Sequence, residues 1–131
     1  MKFYIATGLA NYEAHQELRD QLVALGHEIT YNWTEHGSVQ KESDAVKEQT
    51  AINEWLGVSD ADVLIVLLPG GRGTHAEIGI ALGTETKVVL VGSEEAQLQN
   101  GLTCVFYYHP YVTRVANTGE AFKVIQSIDW P

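Results

Sequence analysis

An internal disulfide is excluded at the outset, because the chain has one cysteine, Cys104, and no second thiol to pair with it. Its setting, Leu102-Thr103-Cys104-Val105-Phe106, reads as a buried strand thiol, and a lone thiol suits a reducing, cytoplasmic home. Positive charge is scarce: 8 Lys and Arg stand against 17 Asp and Glu, a formal net charge of −9. No basic stripe offsets that excess, which argues against nucleic-acid polymers and anionic membranes as partners and leaves a small ligand. Long apolar runs are missing as well. No segment approaches the ~18 residues of a membrane span, and the opening Met1-Lys2-Phe3-Tyr4-Ile5 lacks the apolar stretch of a signal peptide. Five histidines, His15, His27, His36, His75 and His109, are scattered without the spacing of a zinc helix or finger, so neither a metal nor another cofactor is expected. No serine sits on a nucleophile elbow, and no Lys-Ser or Lys-Thr pair closes a Walker loop.

What is present is an alternation of short apolar runs with helical spacings over 131 residues, a length that fits one domain spanning 1–131. Strands are expected at Phe3–Thr7, His27–Tyr31, Val63–Leu68, Lys87–Val91 and Thr103–Tyr107. Helices are expected over Tyr12–Leu25, with Ala14, Leu18, Leu22 and Leu25 on one face; over Asp44–Leu56, with Ile52, Trp55 and Leu56 turned inward; from the glycine loop to Gly83; and near Glu120–Ile128. A further short helix is expected in the polar stretch after Val91. This pattern predicts a flavodoxin- or Rossmann-like α/β three-layer sandwich with a five-stranded parallel sheet, order 2-1-3-4-5. The switch point then lies between the first and third strands, so Thr7-Gly8 and the loop after Leu68 face one crevice.

That loop, Pro69-Gly70-Gly71-Arg72-Gly73-Thr74-His75-Ala76-Glu77, joins a buried strand to a helix. Its glycines let a ligand approach the main chain, and its amides suit a phosphate, a carboxylate or sugar hydroxyls. Thr74 reads as an N-cap and Thr-x-x-Glu as a capping box, with helix-terminal amides holding Glu77 ionised. Glu77 is therefore either a plain cap or a functional carboxylate. With metal, Walker and Ser or Cys chemistry set aside, a carboxylate can attack an anomeric carbon. Trp33, in Tyr31-Asn32-Trp33-Thr34, either stacks on a base or packs under the loop. Tyr4 is a core residue unless its hydroxyl reaches the crevice. His75 is a candidate for assisting departure of a base.

Phe3-Tyr4-Ile5-Ala6, Ser59-Asp60-Ala61-Asp62-Val63 and Gly73-Thr74-His75-Ala76-Glu77-Ile78-Gly79-Ile80-Ala81-Leu82-Gly83 together resemble the nucleoside 2-deoxyribosyltransferase superfamily. The resemblance implies that Glu77 is the nucleophile, that Tyr4 orients it, and that the acidic residue near the base is Glu54, with Glu48 as a competitor. It also implies a homodimer or homotetramer. The loop is similar as well to the Pro-Gly-Gly-x-Gly-Thr-x-x-Glu motif of the cytokinin-activating phosphoribohydrolases, and both resemblances converge on the base–sugar bond. Arg72 stands where deoxyribosyltransferases carry acidic residues, which favours an anionic group and makes a nucleotide, or hydrolysis in place of transfer, the alternative to a nucleoside. The expected substrate contacts are Thr7, Gly8, Trp33, Glu54, Gly70, Gly71, Arg72, Gly73 and Thr74, around the catalytic Glu77 and Tyr4. A non-catalytic nucleotide-binding module of the same fold is the other reading.

Overall fold

The computed structural model describes residues 1–128, so positions 129–131 of the expected domain lie outside the described residues. In chain order the elements are β1 (Lys2–Thr7), α1 (Tyr12–Ala24), β2 (Glu28–Ile29), α2 (Asp44–Asp60), β3 (Val63–Leu67), α3 (Arg72–Gly83), β4 (Lys87–Val91), β5 (Leu98–Gln99), β6 (Leu102–Thr103), β7 (Val112–Val115) and α4 (Thr118–Ser127). Five strands form one parallel sheet, β2-β1-β3-β4-β7, and β5 with β6 makes a small antiparallel hairpin. Apart from the fifth strand's place in the chain, this is the doubly wound sandwich that the alternation predicts. No described helix is long and apolar enough to cross a membrane.

The sheet is buried on both faces, and its strands alternate between two cores. Phe3 and Ile5 of β1, with Val63, Ile65 and Val89, pack against Leu18 and Leu22 of α1 and Ile125 of α4. Tyr4 and Ala6, with Leu64, Val66 and Leu90, pack against Val58 of α2 and Ile78 and Ala81 of α3. The side-chain period of 2 along a strand sends neighbouring residues to opposite cores.

Four expectations are corrected. The fifth strand is Val112–Val115, not Thr103–Tyr107; the latter run forms part of a hairpin and a 3-10 turn over Val105–Tyr108, in which Val105 and Phe106 are exposed. Cys104 is accordingly a half-buried loop thiol and not a strand residue. The polar stretch after Val91 holds turns and the hairpin instead of a helix. Leu25, Ile52, Trp55 and Leu56 are exposed, whereas His15 on α1 and Thr50, Gly57 and Val58 on α2 are buried. Helix α2 runs on to Asp60 and turns the side bearing Thr50, Gly57 and Val58 inward.

Gly57 explains that choice. A Cβ there would lie 2.8 Å from Tyr31 Cβ and 3.0 Å from the Tyr4 ring, so the missing side chain is what lets α2 press onto Tyr4. Gly57→Ala should therefore destabilise the fold by about 1–3 kcal/mol through overpacking, which outweighs the ~1 kcal/mol gain in helix propensity. Urea unfolding checks this; a more stable variant would show that the contact yields.

Candidate active site

Strands β1 and β3 end side by side, and their loops meet where the Gly8 amide donates to the Pro69 carbonyl at 3.3 Å. The Thr7 hydroxyl donates to the Leu67 carbonyl at 2.6 Å and accepts from Asn11 Nδ2 at 3.1 Å, which fixes the strand ends to each other. Beyond them opens a cleft of about 360 Å³, lined by Thr7, Gly8, Trp33, Glu54, Gly73 and Glu77 among others. Thr74, Gly71 and the loop from His36 to Gln40 complete its wall.

The local structure of α3 departs from the expected capping box. The helix starts at Arg72 with Gly71 at the N-cap, and no side chain caps it. Thr74 is already inside the first turn, where its side chain fills the space next to Gly70; a Cβ on Gly70 would lie 2.7 Å from Thr74 Cβ. Thr74, Glu77, Ile78 and Ala81 then form the buried stripe at helical spacing. Glu77 thus occupies a position that an apolar residue normally takes, in the second turn, past the amides expected to hold it ionised.

Its electrostatics follow. Glu77 is 7% exposed and its Oε2 has no hydrogen-bond partner among the described residues. Burial pushes the Glu77 carboxyl up to about 8; the nearby Tyr4 hydroxyl opposes the rise and the Glu54 charge adds to it. Burial thus favours the protonated form of Glu77, against the ionised state expected from helix-terminal amides. Tyr4, fully buried in the α2–α3 core, brings its hydroxyl to Glu54 Oε1 at 3.5 Å. Burial chiefly, then the Glu77 carboxylate, raises the Tyr4 phenol far above its ordinary range, so it acts as a hydrogen-bond donor. Burial also raises Glu54, against the pull of His36 and of the Tyr4 hydroxyl. Glu48, the competitor, is exposed.

Trp33 is 7% exposed, donates from Nε1 to the Ile5 carbonyl at 2.8 Å and meets His15 edge to face at 5.4 Å. It is a packed residue that also lines the cleft. Gly70 and Arg72 line a different cleft, of about 750 Å³, on the far side of the loop with His75, Gln97 and Tyr107. His75 there accepts no role beside Glu77: its Nδ1 lies 2.7 Å from the Gly71 carbonyl and its Nε2 2.7 Å from the Tyr107 hydroxyl. Because a carbonyl only accepts, Nδ1 donates, and in the neutral ring Tyr107 donates to Nε2. The pair braces the start of α3. Tyr107→Phe should cost about 1 kcal/mol of stability and speed hydrogen exchange at Gly71 to Gly73, measured by mass spectrometry; unchanged exchange would refute the brace. Among the described residues no group of three His, Cys, Asp or Glu side chains comes together to hold a metal ion.

Sequence reasoning missed His36 and the loop from Gly37 to Gln40. The signal was the rule that placed Trp33 here, since this loop follows β2 and parallel strands all end on the same side of the sheet.

No protein-family model matches the chain, and no curated protein matches it by sequence. Among solved structures it is similar to the CMP N-glycosidase BcmB of Clostridium botulinum, at 18% identity and a TM-score of 0.61. The match covers 98% of this chain and 100% of that one, and at this identity it shows a shared fold.

Proposed function

We propose that the chain cleaves or transfers the N-glycosidic bond of a nucleoside or nucleoside 5′-monophosphate, with Glu77 as nucleophile on the anomeric carbon. The observation that carries the reading is Glu77 itself, a carboxyl that lines the cleft and whose buried Oε2 has no hydrogen-bond partner among the described residues. A carboxyl on the apolar stripe of a helix costs stability, and a fold keeps such a group where chemistry needs it. The fold likeness to an enzyme named for cleaving CMP at its N-glycosidic bond supports the reaction class.

Within this reading Tyr4 and Glu54 arrange the polar groups beside Glu77. The Tyr4 hydroxyl donates to Glu54 at 3.5 Å and orients the two carboxyl groups. Thr7, Gly8, Gly73 and Thr74 form the sugar-facing wall. The substrate is tested by incubating the protein with CMP, AMP, GMP, UMP, the deoxy monophosphates and the corresponding nucleosides, and measuring free base by chromatography. Release of base from at least one member supports the proposal; no release from any refutes it.

The raised Glu77 carboxyl favours a second reading, non-catalytic recognition of a nucleotide. A Glu77 that is protonated at neutral pH donates a hydrogen bond and does not attack. In that case one of the same ligands raises the melting temperature and is recovered intact after hours.

A further inference from the structure

The Glu77 cleft holds one histidine among its lining residues, and it is His36; His75 lies in the other cleft. His36 is exposed at the rim, in the loop after β2, while Glu77 is buried at the floor. Its Nδ1 lies 2.8 Å from the Gly37 carbonyl, which obliges Nδ1 to be the donor and leaves Nε2 uncommitted. The Tyr31 ring, 6.0 Å away between centroids, flanks the imidazole. Glu54 lines the same cleft, and His36 pulls its carboxyl down against burial, so a proton on Nε2 has a carboxylate in support.

Cleavage at an anomeric carbon needs a nucleophile on one side and a destination for the bonding pair on the other. From this geometry we infer that His36 is the leaving-group acid of the N-glycosidic reaction, delivering the Nε2 proton to the departing nucleobase. The inference rests on the function proposed above. In the first step a Glu77 oxygen bonds to C1′ as the C1′–N bond breaks. The bonding pair goes to the base, which takes the Nε2 proton, leaving a glycosyl ester and neutral imidazole. Water then attacks C1′, the ester bond breaks with its pair returning to the Glu77 carboxylate, and the proton lost by water returns to His36 Nε2. The resting protein needs no extra proton, because the one held by Glu77 moves to His36 when the nucleophile is exposed.

The test compares leaving groups. His36→Gln and His36→Asn, both at an exposed position, are assayed with CMP, or with whichever panel member releases base fastest, and with the 4-nitrophenyl glycoside of the same sugar. Nitrophenolate leaves without a proton. The expected result is a fall in kcat/KM on the order of a hundredfold for base release, with nitrophenolate release reduced by no more than a small factor. Equal losses on both substrates, or no loss on either, overturn the assignment while the N-glycosidic reading stands. A wild-type protein that releases neither base nor nitrophenolate overturns that reading, and the role of His36 with it.

Discussion

Replacing Glu77 with glutamine is expected to abolish base release and, at the same time, to make the protein harder to unfold above neutral pH. The catalytic loss should be on the order of ten-thousandfold or more, as for removal of an attacking group. An amide has the volume of the carboxyl but no pair of electrons basic enough to attack C1′. The stability gain has a separate cause: glutamine cannot ionise, so it escapes the cost of a buried charge that the wild-type carboxyl carries above its raised pKa of about 8. Activity and the thermal midpoint at pH 8.5, measured on one preparation, check both. A Glu77→Gln protein that still releases base would remove Glu77 as nucleophile; one less stable than wild type at pH 8.5 would contradict the burial argument.

The stability of the wild type should itself be nearly level on the acid side of neutrality and decline on the alkaline side. Two buried groups of opposite sign produce that shape. Glu77 is raised from 4.5 to about 8, so the folded state binds its proton more tightly and stability falls as pH rises between those values. His15, fully buried, is lowered by burial and by Arg19 from 6.5 to about 4, so the unfolded state binds more protons there and stability rises with pH over that window. Each contributes about 1.4 kcal/mol per pH unit at full slope. The two oppose each other from about pH 4.5 to 6.5, and above 6.5 Glu77 acts alone. From pH 6.5 to 8 the chain should lose about 2 kcal/mol through Glu77. Urea denaturation at half-unit intervals measures the curve. Stability that increases through this range would invert the sign and exclude a raised Glu77; in Glu77→Gln the alkaline decline should flatten.

The strands at β1, β3 and β4 were legible because a parallel strand covered on both faces is a continuous apolar run, and Phe3–Thr7, Val63–Leu67 and Lys87–Val91 are such runs. Apolar richness misled where the chain is exposed. Thr103–Tyr107 is more apolar than Val112–Val115, yet the latter is the sheet's edge strand and the former a hairpin arm and turn. Helix α2 misled for a related reason. Its Ile52, Trp55 and Leu56 read as an inward face, but the space over Tyr4 admits only Gly57, and turning that residue inward brings Glu54 towards the cleft. The position of Glu77 was legible from the loop; its environment was not. Thr-x-x-Glu is the spacing of a capping box, but the helix begins before Thr74 and the same three-residue step falls on its buried stripe. Local spacing leaves those two geometries unresolved, since the start of α3 depends on how Gly70 packs beneath Thr74.

The two cores separated by the sheet carry a consequence for how this protein tolerates change. Tyr4, Glu54 and Glu77 all belong to the side built by α2 and α3, whereas Leu18, Leu22 and Ile125 stand behind a wall of strands. A smaller side chain at Leu22 would cost about 2–5 kcal/mol as a cavity, but the void opens towards α1 and away from the carboxyl groups. Robustness and chemistry are therefore written on opposite faces of the same five strands. A lineage can reinforce the α1–α4 face against heat while the α2–α3 face is free to be recut for a different substrate.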